Sequence, residues 1–326
     1  MSTAPELAAP GIHRLSLPTR SAWLKQVNVY LVAGPEGLLL IDTGYGTEEA
    51  LESLETQLAG IGYTSSDVAA VVLTHAHPDH VGLARAIADR SGATVSLHRE
   101  DFLFVDESAT AARMRSIREW FFSHGMAVDN SAPPRLPLGH PVLTGFLEDG
   151  AVLAWGEHRF ELLWTPGHSP GLVCLYERAS RVLLSSDHVL ERITPNVSIF
   201  FDRPSDPLHD YLRGLRRVGG LEVDLVLPGH GLPFRSLDRR LAEIEAHHRR
   251  RLEEVVAALA SGATTAADLA PRLEWLGYDD GWLRLDDLHR RSAVGETLAH
   301  LRFLSNTGVV VAEQRDGRVH WRAHRT

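Results

Sequence analysis

The chain has 326 residues, 44% hydrophobic and 23% charged, a composition that supports a sizeable buried core and excludes fibrous and disordered classes. A formal charge of -9 disfavours nucleic acid or an anionic membrane as the main partner, and the single cysteine, Cys174, excludes an internal disulfide and a cysteine-built metal site. No run of about 18 apolar residues occurs, so no transmembrane helix is expected; the opening MSTAPELAAPGIHRL shows no secretory pattern, which leaves the cytoplasm as the default location.

In chain order, QVNVYLVAG alternates in the manner of a half-buried strand and GLLLIDTG reads as a buried one. TEEALESLETQLAGIG has helical spacing, with Thr47 as its cap and Gly60 as its stop. The strand VAAVVLT then delivers THAHPDH, after which HVGLARAIADRSG resumes helical spacing. Residues 101–150 are less regular, with a helix in AARMRSIREWFFSHG and a Pro-rich stretch SAPPRLPLGHP; this insertion is either a lid or pocket wall, or a packed surface excursion. A second strand-rich set follows in AVLAWGEHRFELLWTPG, GLVCLYER and RVLLSSDH, then the helix DPLHDYLRGLRRVGG and the strand VDLVLPGHG. The order predicts two sheets in a core with helices outside, over residues 1–235.

From about Ser236 three helical stretches precede two strand-like runs, GVVVAEQ and RVHWRAH, with Asp316-Gly317 near their turn. Three helices and a hairpin are the order of a winged-helix-like module over residues 236–326. With 14 Arg against 14 Asp plus Glu it is formally neutral, so packing or homodimer contact is expected ahead of DNA binding.

His75, His77, Asp79 and His80 crowd into THAHPDH, and His168 in TPGHSPG, Asp187 in SSDH and His230 in LPGHG each end an apolar strand at a Gly, Pro or Ser turn. If those strands are neighbours, all seven converge on one edge of the sheets. Alternation in an extended loop sends His75 and His77 to the same side, while Asp79 and His80, past Pro78, address a second point. Imidazoles with carboxylates suit a catalytic zinc, and two divalent ions would polarise a carbonyl or phosphoryl oxygen and hold a hydroxide between them; Fe and Mn fit the same donors.

In order, these motifs match the metallo-β-lactamase superfamily, which residues 11 to 235 resemble. The resemblance implies an α/β (α+β) fold, a four-layer αββα sandwich, followed here by the small C-terminal module, which looks like the tail of the lactamase-beta-2-like branch. It also implies that His75, His77 and His168 hold one metal, Asp79, His80 and His230 the other, and that Asp187 bridges them.

The expected activity is dinuclear metal-assisted hydrolysis, with Asp79 orienting the hydroxide or carrying its proton. A serine or cysteine nucleophile is not expected, because no nucleophile elbow or Cys-His pair stands out. The leading substrate is a small carboxylic ester or thioester: an acyl-thioester, a hydroxyacylglutathione-like compound or a lactone. A phosphodiester, as in endoribonucleases of the branch, comes next, and a metal-containing DNA-binding regulator or iron oxidoreductase after that. His188 and His98 are either partners of ligands or ordinary packed residues; Thr74, Thr165 and Ser169 fix loops; Cys174 belongs to the core. Trp120, Phe121 and Phe122 either line a pocket or bury against the core, and the arginines of RMRSIR either meet a substrate phosphate or form a solvated face.

Overall fold

A computed structural model of the chain describes residues 4–20, 24–128, 138–199, 205–262, 264–275 and 281–324. Residues 131–137, most of the Pro-rich stretch, lie outside the described residues. Internal contacts divide the chain into two compact units: Met1–Ala109 with Pro134–Pro195 and Gly214–Arg240, and Thr110–Pro133 with Asn196–Arg213 and Leu241–Thr326.

The first unit holds two sheets. One runs β1 (Glu6–Ala9), β2 (Ile12–Pro18), β3 (Gln26–Gly34), β4 (Gly37–Ile41), β5 (Val68–Val72), β6 (Thr94–His98), β7 (Gly145–Leu147), antiparallel up to β4 and parallel beyond it. The other is built from β8 (Val152–Trp155), β9 (His158–Trp164), β10 (Val173–Glu177), β11 (Val182–Ser186) and β12 (Leu225–Pro228), in the order β12-β11-β10-β9-β8. Its helices are α1 (Glu48–Ala59), α2 (Pro78–Val81), α3 (Ala84–Ser91) and α4 (Phe102–Val105).

The alternation of β3 predicts one solvent face, yet both of its faces are buried. Val27, Val29 and Leu31, with Leu38 and Leu40 of β4, pack with Leu54 and Leu58 of α1 and Ile87 of α3. Tyr30, Val32, Leu39 and Ile41 pack instead with Phe160, Leu162, Val173 and Leu175 of the second sheet. A sheet between a helix layer and another sheet must be apolar on both faces, and the two packed sheets make a continuous core. Helix α1 starts where expected: Thr47 accepts the Ala50 N–H at 3.2 Å and Glu48 and Glu49 face the positive end of the helix dipole. Its apolar positions recur every three or four residues, which turns one stripe toward the sheet.

The division between units falls within α6 in chain order, after α5 (Thr110–Ser123): α6 spans Pro207–Gly219. Its C-terminal half lies on the second sheet, where Arg217 donates to Trp164 O and a Cβ on Gly214 would stand 2.7 Å from the His188 ring. Helix, sheet, sheet and helix give the four-layer sandwich.

In the second unit α7 (Leu237–Ala260, its start in the first unit), α8 (Ala266–Leu269), α9 (Gly281–Arg284) and α10 (Asp287–Asn306) precede β13 (Val310–Arg315) and β14 (Arg318–Ala323). The two strands pair antiparallel, and Asp316 and Gly317 both have positive φ, as the tight primed turn requires. The Trp120–Phe122 block of α5 is split, with Phe121 buried and Phe122 exposed. No helix among the described residues is long and apolar enough to cross a membrane.

Candidate metal centre

Five loops at strand ends build the site, all in the first unit. Asp42 follows β4, Thr74 to His80 follow β5, His168 follows β9, Asp187 follows β11 and His230 follows β12. The structure brings all seven sequence-selected residues together. His75, His77 and His168 form one group with ligand atoms within 4.8 Å of each other, and Asp79, His80 and His230 form a second; His75, His80 and Asp187 form a third that joins them. Asp187 is central, 3.5 Å from His168 Nε2, 3.5 Å from His230 Nε2 and 3.7 Å from His80 Nε2.

Neighbouring residues fix the rings. Asp42 Oδ2 accepts from His80 Nδ1 at 2.8 Å and so directs His80 Nε2 inward. The same carboxylate accepts the Thr74 N–H at 2.8 Å, and Thr74 Oγ contacts Asp42, His75 Nδ1 and Ser186 Oγ. Asp42 itself sits at φ 64°, an uncommon conformation for a residue with a Cβ that this dense set of bonds maintains. His230 Nδ1 donates to Gln26 O at 2.7 Å, leaving Nε2 inward. Asn28, whose burial contradicts the alternating reading of β3, donates to Pro228 O and Gly231 O, while Tyr30 Oη donates to Pro228 O. Polar residues of β3 thus face inward because they carry the His230 loop. Helix α2 begins with Pro78 at its first position, which turns Asp79 and His80 away from His75 and His77.

The arrangement fits a metal. His77 Nδ1 lies 3.0 Å from His75 Nε2 and 2.9 Å from His168 Nε2. Three ring nitrogens facing one point cannot all satisfy one another when a neutral imidazole has one N–H, whereas a cation accepts all three lone pairs. Burial holds His75 far below the ordinary histidine range and His77 below it, so both present lone pairs at neutral pH. On the other side burial opposes protonation of His80 and His230, but Asp42, Asp187 and Asp79 outweigh it for His80, and Asp187 and Asp79 raise His230 to about 10. Burial would raise the Asp187 and Asp79 carboxyls, yet His230 and His80 hold Asp187 far below its usual range, and His80 and His230 hold Asp79 at about 2. A pocket of carboxylates that draws protons onto buried imidazoles is one in which a cation would displace them. His80 Nε2, His230 Nε2 and Asp187 Oδ1 are buried without a hydrogen bond.

Other residues singled out in the sequence play different parts. His98 stacks on Trp164 with ring centroids 5.0 Å apart and accepts the Glu100 N–H. His188 is a packed core residue against Gly214. Thr165 Oγ meets Cys174 Sγ at 3.3 Å, and burial raises that thiol to about 12, which leaves it inert. Ser169 Oγ donates to Asp101. Asp42 carried a usable signal, a carboxylate at the end of the apolar run GLLLI, which sequence reasoning passed over.

Residues 22–230 match the model of the metallo-beta-lactamase superfamily. The chain is 29% identical to the probable metallo-hydrolase YqjP of Bacillus subtilis over 79% of this chain and 83% of that one. It is 28% identical to the acyl-coenzyme A thioesterase MBLAC2 of Gallus gallus over 63% of this chain and 72% of that one. Among solved structures it is similar to a metallo-beta-lactamase family protein of Thermus thermophilus, with a TM-score of 0.81, 34% identity and coverage of 97% of this chain and 99% of that one. Because the family match runs through every one of the converging side chains, the chain belongs to the metallo-beta-lactamase superfamily and is a metal-dependent hydrolase.

Proposed function

We propose that this hydrolase cleaves carboxylic thioesters or esters of apolar acyl groups. His75, His77 and His168 would hold one divalent ion, Asp79, His80 and His230 a second, and Asp187 would serve both; the nitrogen and oxygen donors suit zinc, with Fe and Mn as alternatives. When bound, the ions would acidify water and polarise the scissile carbonyl.

The observation that carries the substrate reading is a cavity of about 900 Å³ with His230 in its wall. Leu24, Leu190, Ile193 and Leu232 line it, and Ile193 and Leu232 are 46% and 55% exposed, apolar surface that an acyl chain would cover. Its charges are mostly paired, Arg14 with Glu6 and Arg192 with Glu191, which leaves Lys25 as the one lining cation unpaired among the described residues. A single positive charge suits a small substrate better than a polyphosphate backbone. The likeness to an acyl-coenzyme A thioesterase points the same way.

The chain's own residues would then do two things. The His230 wall orients the acyl group; Asp79, a carboxylate throughout the neutral range, accepts a hydrogen bond from the attacking water and orients its oxygen. The carbon–sulfur or carbon–oxygen bond breaks, the water oxygen enters the new carboxylate, one of the water's protons leaves with the thiol or alcohol and the other passes to solvent.

A series of acyl-coenzyme A substrates from acetyl to palmitoyl, with bis-p-nitrophenyl phosphate alongside, tests the reading. Thioester hydrolysis that a chelator abolishes is expected, and Leu232→Trp is expected to lower the ratio of long-chain to acetyl kcat/KM at least tenfold. A wild-type preference for the phosphodiester, or no hydrolysis of any ester or thioester, overturns it.

A further inference from the structure

Asp101 lies just after β6, fully buried, and three donors from two loops meet on its carboxylate. Oδ2 accepts the Ala76 N–H and the Ser169 hydroxyl, both at 2.8 Å, and Oδ1 accepts the Gly171 N–H at 2.6 Å. Ala76 stands between His75 and His77, and Ser169 follows His168. One side chain therefore ties the loop of two histidines to the loop of the third, the three whose nitrogens converge on one point.

The same contact explains two residues of TPGHSPG. A Cβ on Gly171 would come within 2.8 Å of the Cβ, Cγ and backbone nitrogen of Asp101, so only glycine admits the carboxylate there. Ser169 supplies the hydroxyl. Among the described residues Asp101 has no Lys or Arg ion-pair partner, so its charge is met by these donors alone.

We infer that Asp101 is the positioning residue of the His75–His77–His168 metal site: it sets the separation of the two loops and thereby the affinity and geometry of that site, without touching the metal. The inference rests on the assignment of those three histidines as ligands. An amide in its place has one acceptor oxygen, and its NH₂ would oppose at least one of the three donors, so Asn keeps the volume and loses the function.

The experiment is cobalt and zinc titration of the full chain, read by the cobalt d–d spectrum and by competition with a chromophoric chelator, for the wild type, Asp101→Asn and Ser169→Ala. Asp101→Asn is expected to weaken one metal equivalent at least tenfold and shift the cobalt spectrum, with the other equivalent changed less; Ser169→Ala, losing one bond of three, is expected to weaken the same equivalent by a smaller factor. A folded Asp101→Asn with wild-type affinities and spectrum overturns the inference. If that variant fails to fold, wild-type affinities in Ser169→Ala overturn it. A wild type that binds no metal removes the ligand assignment itself, and the inference with it.

Discussion

Both units bury histidines, and they do so to opposite ends. In the second unit His248 Nδ1 meets His300 Nε2 at 3.1 Å and His300 Nδ1 donates to Glu296 O at 2.8 Å, so the rings are tied to each other and to the backbone of α10. One nitrogen, His248 Nε2, is left over, and no group able to hold a metal among the described residues includes it. In the first unit the rings are anchored by their outer nitrogens, to Asp42, Gln26 O and Thr74, and the inner ones converge. Burial is therefore shared by structural and ligating histidines. What separates them is whether the nitrogens left over after anchoring point at one another.

The largest effect should come from emptying that convergence. His77→Ala and Asp187→Ala are each expected to lose metal and to lower kcat/KM by more than about two orders of magnitude, while His300→Gln in the second unit keeps the wild-type metal content. Metal analysis of the purified variants beside initial rates decides it; an active, metal-free wild type would refute the distinction.

How much of this was legible in the sequence follows from the range of the interactions. The seven ligand-type residues could be read because each sits at a strand end beside a turn, a pattern local in the chain. The continuous apolar run of GLLLI likewise announced a buried strand. Asn28 and Tyr30 could not be read, because their bonds reach about two hundred positions along the chain to Pro228. Asp101 fell in a stretch taken for an insertion, and nothing near it in sequence hints that residues 76, 169 and 171 are its partners. The grouping of Thr110–Pro133 and Asn196–Arg213 with the C-terminal residues is a long-range property of the same kind.

A smaller effect distinguishes the units by pH. Burial lowers His300 from 6.5 to about 3 and holds His248 well below its ordinary value. Above about pH 6.5 neither the folded nor the unfolded chain protonates them, so they cost nothing there. As pH falls below that value the unfolded chain takes up protons that the folded one refuses, and stability drops by about 1.4 kcal/mol per pH unit per histidine until the folded pKa is reached. Urea unfolding followed from pH 7 to pH 5 should therefore show a shallower loss in His300→Gln than in the wild type, by close to one proton. Parallel curves would mean that His300 is protonated in the folded state. The titration of the metal-site histidines is common to both proteins and cancels in the difference.

The smallest effect concerns a device the two units share. Thr47 caps α1 by accepting the Ala50 N–H, and Thr265 caps α8 in a reciprocal box, accepting the Asp268 N–H while Asp268 accepts the Thr265 N–H and hydroxyl. Replacing either threonine by alanine strips a helix N-terminus of its acceptor and should cost about 1 kcal/mol in urea unfolding. The two losses should be alike in size and neither should change metal stoichiometry, because a cap stabilises a helix wherever it lies, whereas ligation depends on which loops converge. A Thr265→Ala protein that bound less metal would tie the second unit to the site and break the separation drawn between the two histidine clusters.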